Sequence, residues 1–325
     1  MNRDPDPPTF DFGAPRRRRE QAQPPPEPEG VEGIEGDARE PGAAFEPSPE
    51  QEPSRPRFRL VRSETGRRVL WVIPWIAFAI FIVAVGDLVF AAAMVGLGVL
   101  GLRELFQMTE GLRPLLLPAF GVLAAMVLTA HYGDPFHILL AFACLFPAMF
   151  VFAASRENRR GITVSIAITV LGVAWLGTAF SHAVLLRDLD LHGGALLIDV
   201  LVATFAADTA AYAGGRMFGS RKIAPRISPN KTLEGLISGF LGATLGFWVA
   251  GLYQDWLPGV DALLMGMAIG AIAPIGDLFA SMIKRDLEIK DTGSLFGPHG
   301  GLLDRLDAVL FTIVAGYYLS VAFVY

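Results

Sequence analysis

The sequence predicts an all-α integral membrane protein: a polytopic bundle of about nine transmembrane helices behind a disordered N-terminal tail. Three observations predict it. Apolar residues make up 52% of the 325-residue chain, although the first 66 residues contain few of them. Beyond that point, apolar runs recur near the roughly 20 residues that a spanning helix needs. Basic residues, finally, collect in every second loop, the bias that sets orientation in a bilayer.

Residues 1–66 are dominated by Pro, Glu, Arg and Gly, as in Q-P-P-P-E-P-E-G. Such a stretch cannot bury enough surface to offset its ordering entropy, so a solvated, disordered cytoplasmic tail is expected. It lacks the apolar core and small-residue cleavage site of a signal peptide. Residues 67–325 form the expected polytopic membrane domain. Its first apolar stretch, Val69 to Leu102, exceeds one span and breaks around Val85-Gly86-Asp87, which predicts two helices joined tightly. Further spans are predicted at roughly 114–131, 136–154, 161–184, 194–214, 233–252, 261–283 and 306–324. Cys144, the sole cysteine, lies in an apolar run and is expected only to fill space.

Topology follows from charge. With the Arg-rich tail in the cytoplasm, alternate loops hold Arg103 and Arg113; Arg156, Arg159 and Arg160; Arg216, Arg221, Lys222, Arg226 and Lys231; then Lys284, Arg285, Lys290 and Arg305. The opposite loops hold Arg187. A miscounted helix would have mixed these two sets. The formal net charge of -5 carries little information about partners, because acids and bases occupy different parts of the chain. Metal-type Cys/His spacing, G-x-S-x-G and a Walker-type phosphate loop are absent.

Three clusters of polar residues converge on the basic side. The first, D-T-A-A-Y-A-G-G-R, places Asp208, Tyr212, Gly215 and Arg216 on one helical face. The second, I-S-P-N-K-T-L-E-G, contains Ser228, Lys231 and Thr232, and Thr232 is predicted to cap the following helix. The third begins G-D-L-F-A-S-M-I-K-R, with Asp277, Ser281, Lys284 and Arg285 on one face. It continues through Lys290, Asp291 and His299-Gly300-Gly301 to Asp304, Arg305 and Asp307. Charge beside hydrocarbon is expensive and marks function.

Separated carboxylates among Lys and Arg suit hard divalent cations, which take oxygen ligands and leave room for substrate phosphates. The bases suit the remaining phosphate oxygens. Each residue also has a plainer reading. Asp208 and Asp277 would serve as interhelical ion pairs with Arg216 or Lys284, and Lys222, Arg226 and Arg285 as topology-setting charges. Gly214 and Gly215 would allow close helix packing, Glu234 would be a first-turn carboxylate, and His299 would bond its own loop. Tyr212 and Trp256 would be interfacial anchors.

The 281–307 run resembles the C-terminal signature of the phosphatidate cytidylyltransferase (CDP-diacylglycerol synthase) family: S-x-x-K-R, then K-D, then H-G-G-x-x-D-R-x-D. The two upstream clusters are similar to family segments in the same order. The resemblance spans roughly 66–325. It implies transfer of a cytidylyl group from CTP to phosphatidic acid, giving CDP-diacylglycerol and pyrophosphate, with Mg²⁺ (Mn²⁺ as the alternative). It implies Asp277 and Asp304 as metal ligands, and after them Asp307 and Asp208 in the same role. It also implies an inner-membrane homodimer whose site opens to cytoplasm and bilayer, in contact with membrane lipids and no nucleic acid. On this expectation Lys284, Arg285 and Lys290 grip phosphates, and Ser228, Lys231 and Thr232 cradle the nucleotide. Ser281, His299 and Arg305 complete the substrate-binding set. A CTP-dependent lipid or polyprenol kinase would use similar groups but transfer the γ-phosphoryl. An ion-coupled transporter would use Asp208 and Asp277 as a cation site, and the crowding of charge on one face of the C-terminal half argues against it.

Overall fold

Each apolar run becomes a helix because the backbone polar groups of a spanning segment must bond internally. A computed structural model describes residues 77–157, 160–293 and 300–325. The N-terminal tail and His299 lie outside them. The described helices are α1 (77–85), α2 (Asp87–Met108), α3 (Leu116–Tyr132), α4 (Pro135–Ala143), α5 (Leu145–Ala154), α6 (Ile162–Gly172), α7 (Thr178–Arg187) and α8 (Gly193–Phe218). There follow strands β1 (Lys222–Ala224) and β2 (Ser228–Thr232), then α9 (Leu233–Gly251), α10 (Gly259–Asp286), α11 (Leu303–Leu306) and α12 (Val309–Phe323).

Among the described residues, six helical stretches are long and apolar enough to cross a membrane. They are α2, Pro135–Ala154, Ile162–Arg187, α8, α9 and α10. The apolar helices α3 and α12 are shorter than that; the protein is an all-α polytopic membrane protein. Two stretches carry interruptions the sequence does not announce. Cys144 divides α4 from α5 and stands exposed rather than filling the core. A π-helical segment, Val173–Gly177, joins α6 to α7.

The predicted break after α1 is real. Gly86 and Asp87 both have positive φ, 68° and 47°, a region that favours glycine. Arg187, the lone basic residue of the opposite loops, donates through Nε to the Val83 carbonyl at 2.6 Å and so satisfies one of the free carbonyls at the α1 terminus.

Side-chain contacts sort the helix ends into two sets. Arg156 donates to the Arg113 and Pro114 carbonyls, Ser165 to the Leu112 carbonyl, and Arg285 to the Ile227 carbonyl. At the other end His131 meets Asp188, Tyr325 meets Asp190, and His192 stacks on Trp256. The basic loops thus share one end.

The C-terminal half is built on small residues. A Cβ on Gly242 would come within 2.5 Å of Ala210 Cβ and 2.8 Å of the Ala206 carbonyl, and one on Gly246 within 2.8 Å of Ala206 Cβ. Helices α8 and α9 therefore meet backbone to backbone, the close approach that small residues permit in membranes. Gly214 and Gly215 extend this seam toward Ser238 and Thr232, as the packing reading expected. Gly242→Leu should force the helices apart and lower thermal stability in detergent by ~3 kcal/mol, since overpacking against backbone cannot relax by rotamer change. Thermal unfolding of the purified variant checks this.

Candidate active site

The second cluster is a β-hairpin rather than a plain loop. Strands β1 and β2 pair antiparallel, with Lys222 opposite Thr232 and Ala224 opposite Ser228. Its base is locked three ways. The Leu233 N–H donates to the Arg221 carbonyl at 2.8 Å. Glu234 accepts from the Ser220 N–H, the Ser220 hydroxyl and the Arg221 N–H at 3.0, 2.6 and 3.2 Å. Thr232 Oγ1 accepts from the Gly235 N–H at 3.1 Å, capping α9 as predicted. Glu234 is thus the first-turn carboxylate expected of it. Thr232 is buried, and its hydroxyl is committed to the cap.

This hairpin carries Lys231 onto α10, where its ammonium pairs with Asp277. Ser281, one turn on, donates to Asp277 Oδ1 at 3.3 Å. Arg285 donates to the Ile227 carbonyl at 3.2 Å, so the last turns of α10 also fasten the hairpin. The ion pair of Asp277 is therefore with Lys231, not with Arg216 or Lys284. Arg216 instead donates to the Tyr212 hydroxyl at 2.9 Å.

Two further acids face Asp277. Asp208 on α8 and Asp307, between α11 and α12, each lie close enough to repel it, and Asp208 and Asp307 repel each other. The approach of Asp307 depends on Gly276. A Cβ there would meet the Asp307 carbonyl at 2.5 Å and Ala308 Cα at 3.0 Å. The glycine before Asp277 thus lets the chain of Asp307 lie directly against α10.

Asp304 is used differently. Its Oδ1 takes the Lys284 ammonium at 2.8 Å. Its Oδ2 accepts from the Thr292 N–H at 2.8 Å, the Thr292 hydroxyl at 3.1 Å and the Gly301 N–H at 3.0 Å. Burial pushes this carboxyl up, but Lys284 and the two N–H groups outweigh it and hold it below the ordinary range. Asp304 therefore ties Thr292 and Gly301 to Lys284 of α10. Lys290 and Arg305 are exposed.

One contributor escaped the sequence reading. Glu104 of α2 is 6% exposed and accepts from the Leu302 and Leu303 N–H groups at 2.8 and 3.0 Å. The sequence signal was present: a carboxylate at the basic end of an apolar span, which requires donors if it is buried.

Among the described residues, no three His, Cys, Asp or Glu side chains form a ready-made metal cage. The donor set nevertheless suits a hard cation. Mg²⁺ in phosphate sites is held by one or two carboxylates, with substrate oxygens and water completing the shell. Asp277 and Asp307 offer carboxylate oxygens of that kind, with Asp208 adjoining and the Lys231 ammonium now against Asp277.

Residues 66–323 match the cytidylyltransferase family model. The phosphatidate cytidylyltransferase of Synechocystis is 32% identical over 284 residues, which cover 78% of this chain and 96% of that protein. The phosphatidate cytidylyltransferase of Bacillus subtilis is 29% identical over 251 residues, covering 75% and 93%. Escherichia coli YnbB, an uncharacterized protein, is 41% identical over 150 residues, 44% of this chain and 50% of its own length.

Proposed function

The chain belongs to the cytidylyltransferase family, and from that premise we propose that it transfers the cytidylyl group of CTP to phosphatidic acid. The products are CDP-diacylglycerol and pyrophosphate, so the protein is a nucleotidyltransferase of phospholipid biosynthesis. The observation that carries the reading is the meeting of three chain segments at Asp277: Lys231 from the hairpin, Asp208 from α8 and Asp307 from the turn between α11 and α12.

The chemistry requires no protein nucleophile. Phosphatidate brings an ionised phosphate, whose oxygen forms a bond to the α-phosphorus of CTP. The bond from that phosphorus to the bridging oxygen breaks, and its electron pair leaves with pyrophosphate. Both reactants are anions, so the task of the site is to bring them together and neutralise charge. Lys231 offers its ammonium to the nucleotide phosphates from the hairpin, with Ser228 three positions earlier on the same strand. Lys284, held by Asp304, and the exposed Lys290, Arg285 and Arg305 supply further positive charge around the same end. Asp277 and Asp307 would hold Mg²⁺, with Asp208 adjoining. The ion, when bound, supplies charge neutralisation at the reacting phosphates. Asp304 was expected to share that ligation; its engagement by Lys284, Thr292 and Gly301 supports an anchoring role instead.

The remaining assignments rest on the charge pattern and the family. The gathering of basic loops at one end supports placing the N-terminus and this site on the cytoplasmic face of the inner membrane. Nine spans fit if α1, α3 and α12 also cross, and the active unit is a homodimer.

Pyrophosphate release from CTP by purified protein in detergent tests the proposal. Release should require phosphatidic acid, and label in the α-phosphate should enter lipid. Label entering lipid from the γ-phosphate would make the protein a kinase and overturn the reading.

A further inference from the structure

We propose that Glu104 is a positioning residue for this reaction, tying the first turn of α11 to α2 so that Asp304 and Asp307 stand where α10 needs them. The inference rests on the functional reading above for the reaction it serves, but its structural content does not. Helix α11 has four residues, Leu303–Leu306. A helix so short does not persist alone, and its leading N–H groups have no partners within it. Glu104 supplies them, through the Leu302 and Leu303 N–H groups at 2.8 and 3.0 Å. Asp304 sits in that same turn, and Asp307 immediately follows it.

The surrounding backbone is shaped to the Glu104 carboxylate. A Cβ on Gly301 would lie 2.6 Å from Glu104 Oε2, and one on Gly293 would lie 3.0 Å from Oε1. The hydroxyl of Thr292 joins the two carboxylates, standing 3.3 Å from Glu104 Oε2 and 3.1 Å from Asp304 Oδ2. It has one proton, so it donates to one of them at a time. Glu104 thus contacts no proposed substrate-binding group directly, and acts through the backbone that carries Asp304.

Glu104→Gln keeps the volume but turns one acceptor into a donor that faces an N–H group. Expected are a kcat lower by about 10- to 100-fold, the range typical of lost supporting contacts, and a KM for CTP within about twofold. The melting temperature in detergent should hold, and deuterium exchange at the Leu302 and Leu303 amides should accelerate about tenfold or more. An ordinary packing role would lower the folded fraction while leaving kcat per folded molecule unchanged, which overturns the proposal, as does unaltered exchange. If Glu104→Gln accumulates poorly, Glu104→Asp, shorter by a methylene, should show the same exchange signature. A wild-type protein that turns over no CTP sinks the functional reading alone. The exchange comparison then still decides the tie: faster exchange supports it, and equal exchange overturns it.

Discussion

Asp277→Asn should lower kcat by about a thousandfold, ~4 kcal/mol of lost transition-state stabilisation, while leaving the melting temperature nearly unchanged. The contrast follows from its contacts. Asp277 is half-buried, with the Lys231 ammonium and the Ser281 hydroxyl as its partners. Neither contact holds an element in place alone, because the hairpin is also fixed through Glu234, Thr232 and Arg285. An amide keeps the shape and both hydrogen-bonding partners can adapt, but the negative charge that would hold a cation is gone. Initial rates over a range of Mg²⁺ concentrations decide the matter. Near-normal turnover at saturating Mg²⁺ would remove Asp277 from the chemistry.

Asp304→Asn should injure both properties. Its carboxylate is 11% exposed and its partner Lys284 13%, so neutralising it leaves a poorly solvated ammonium. Breaking a buried pair on one side costs about 3 kcal/mol. The amide nitrogen would also confront either Lys284 or the Thr292 and Gly301 N–H groups, so one of these contacts is lost. We expect a melting temperature several degrees lower and a loss in kcat of about a hundredfold or more. A double-mutant cycle with Lys284→Gln should return a coupling energy of about 1–3 kcal/mol. Additivity of the two variants would mean that the pair organises nothing.

Much of this architecture was legible in the sequence because its signals are local. The span lengths, the break at Gly86 and the segregation of Arg and Lys each need one stretch of chain. The three polar clusters were legible for the same reason, as was the Thr232 cap. What the sequence hid is pairing across distance. Lys231 with Asp277 and Lys284 with Asp304 depend on how helices are rotated against one another, and local pattern leaves that open. The hairpin was missed because β1 is three residues long and β2 is too polar to show alternation. Glu104 was missed because one carboxylate among apolar residues looks the same whether it faces lipid headgroups or a buried turn. Asp304 and Asp307 lie three positions apart in one motif, yet the chain gives them different partners; only the fold separates them.

The glycine and alanine seam between α8 and α9 has a mechanical consequence. With no long side chains between them to flex, the two helices respond to force as a single beam. Asp208 is set into one half of that beam, and Lys231 sits immediately ahead of the other. The same close approach reaches α10, where Gly266 and Gly270 lie against the Thr244 and Phe240 backbone, so whatever tilts the beam carries Asp208, Lys231 and Asp277 together.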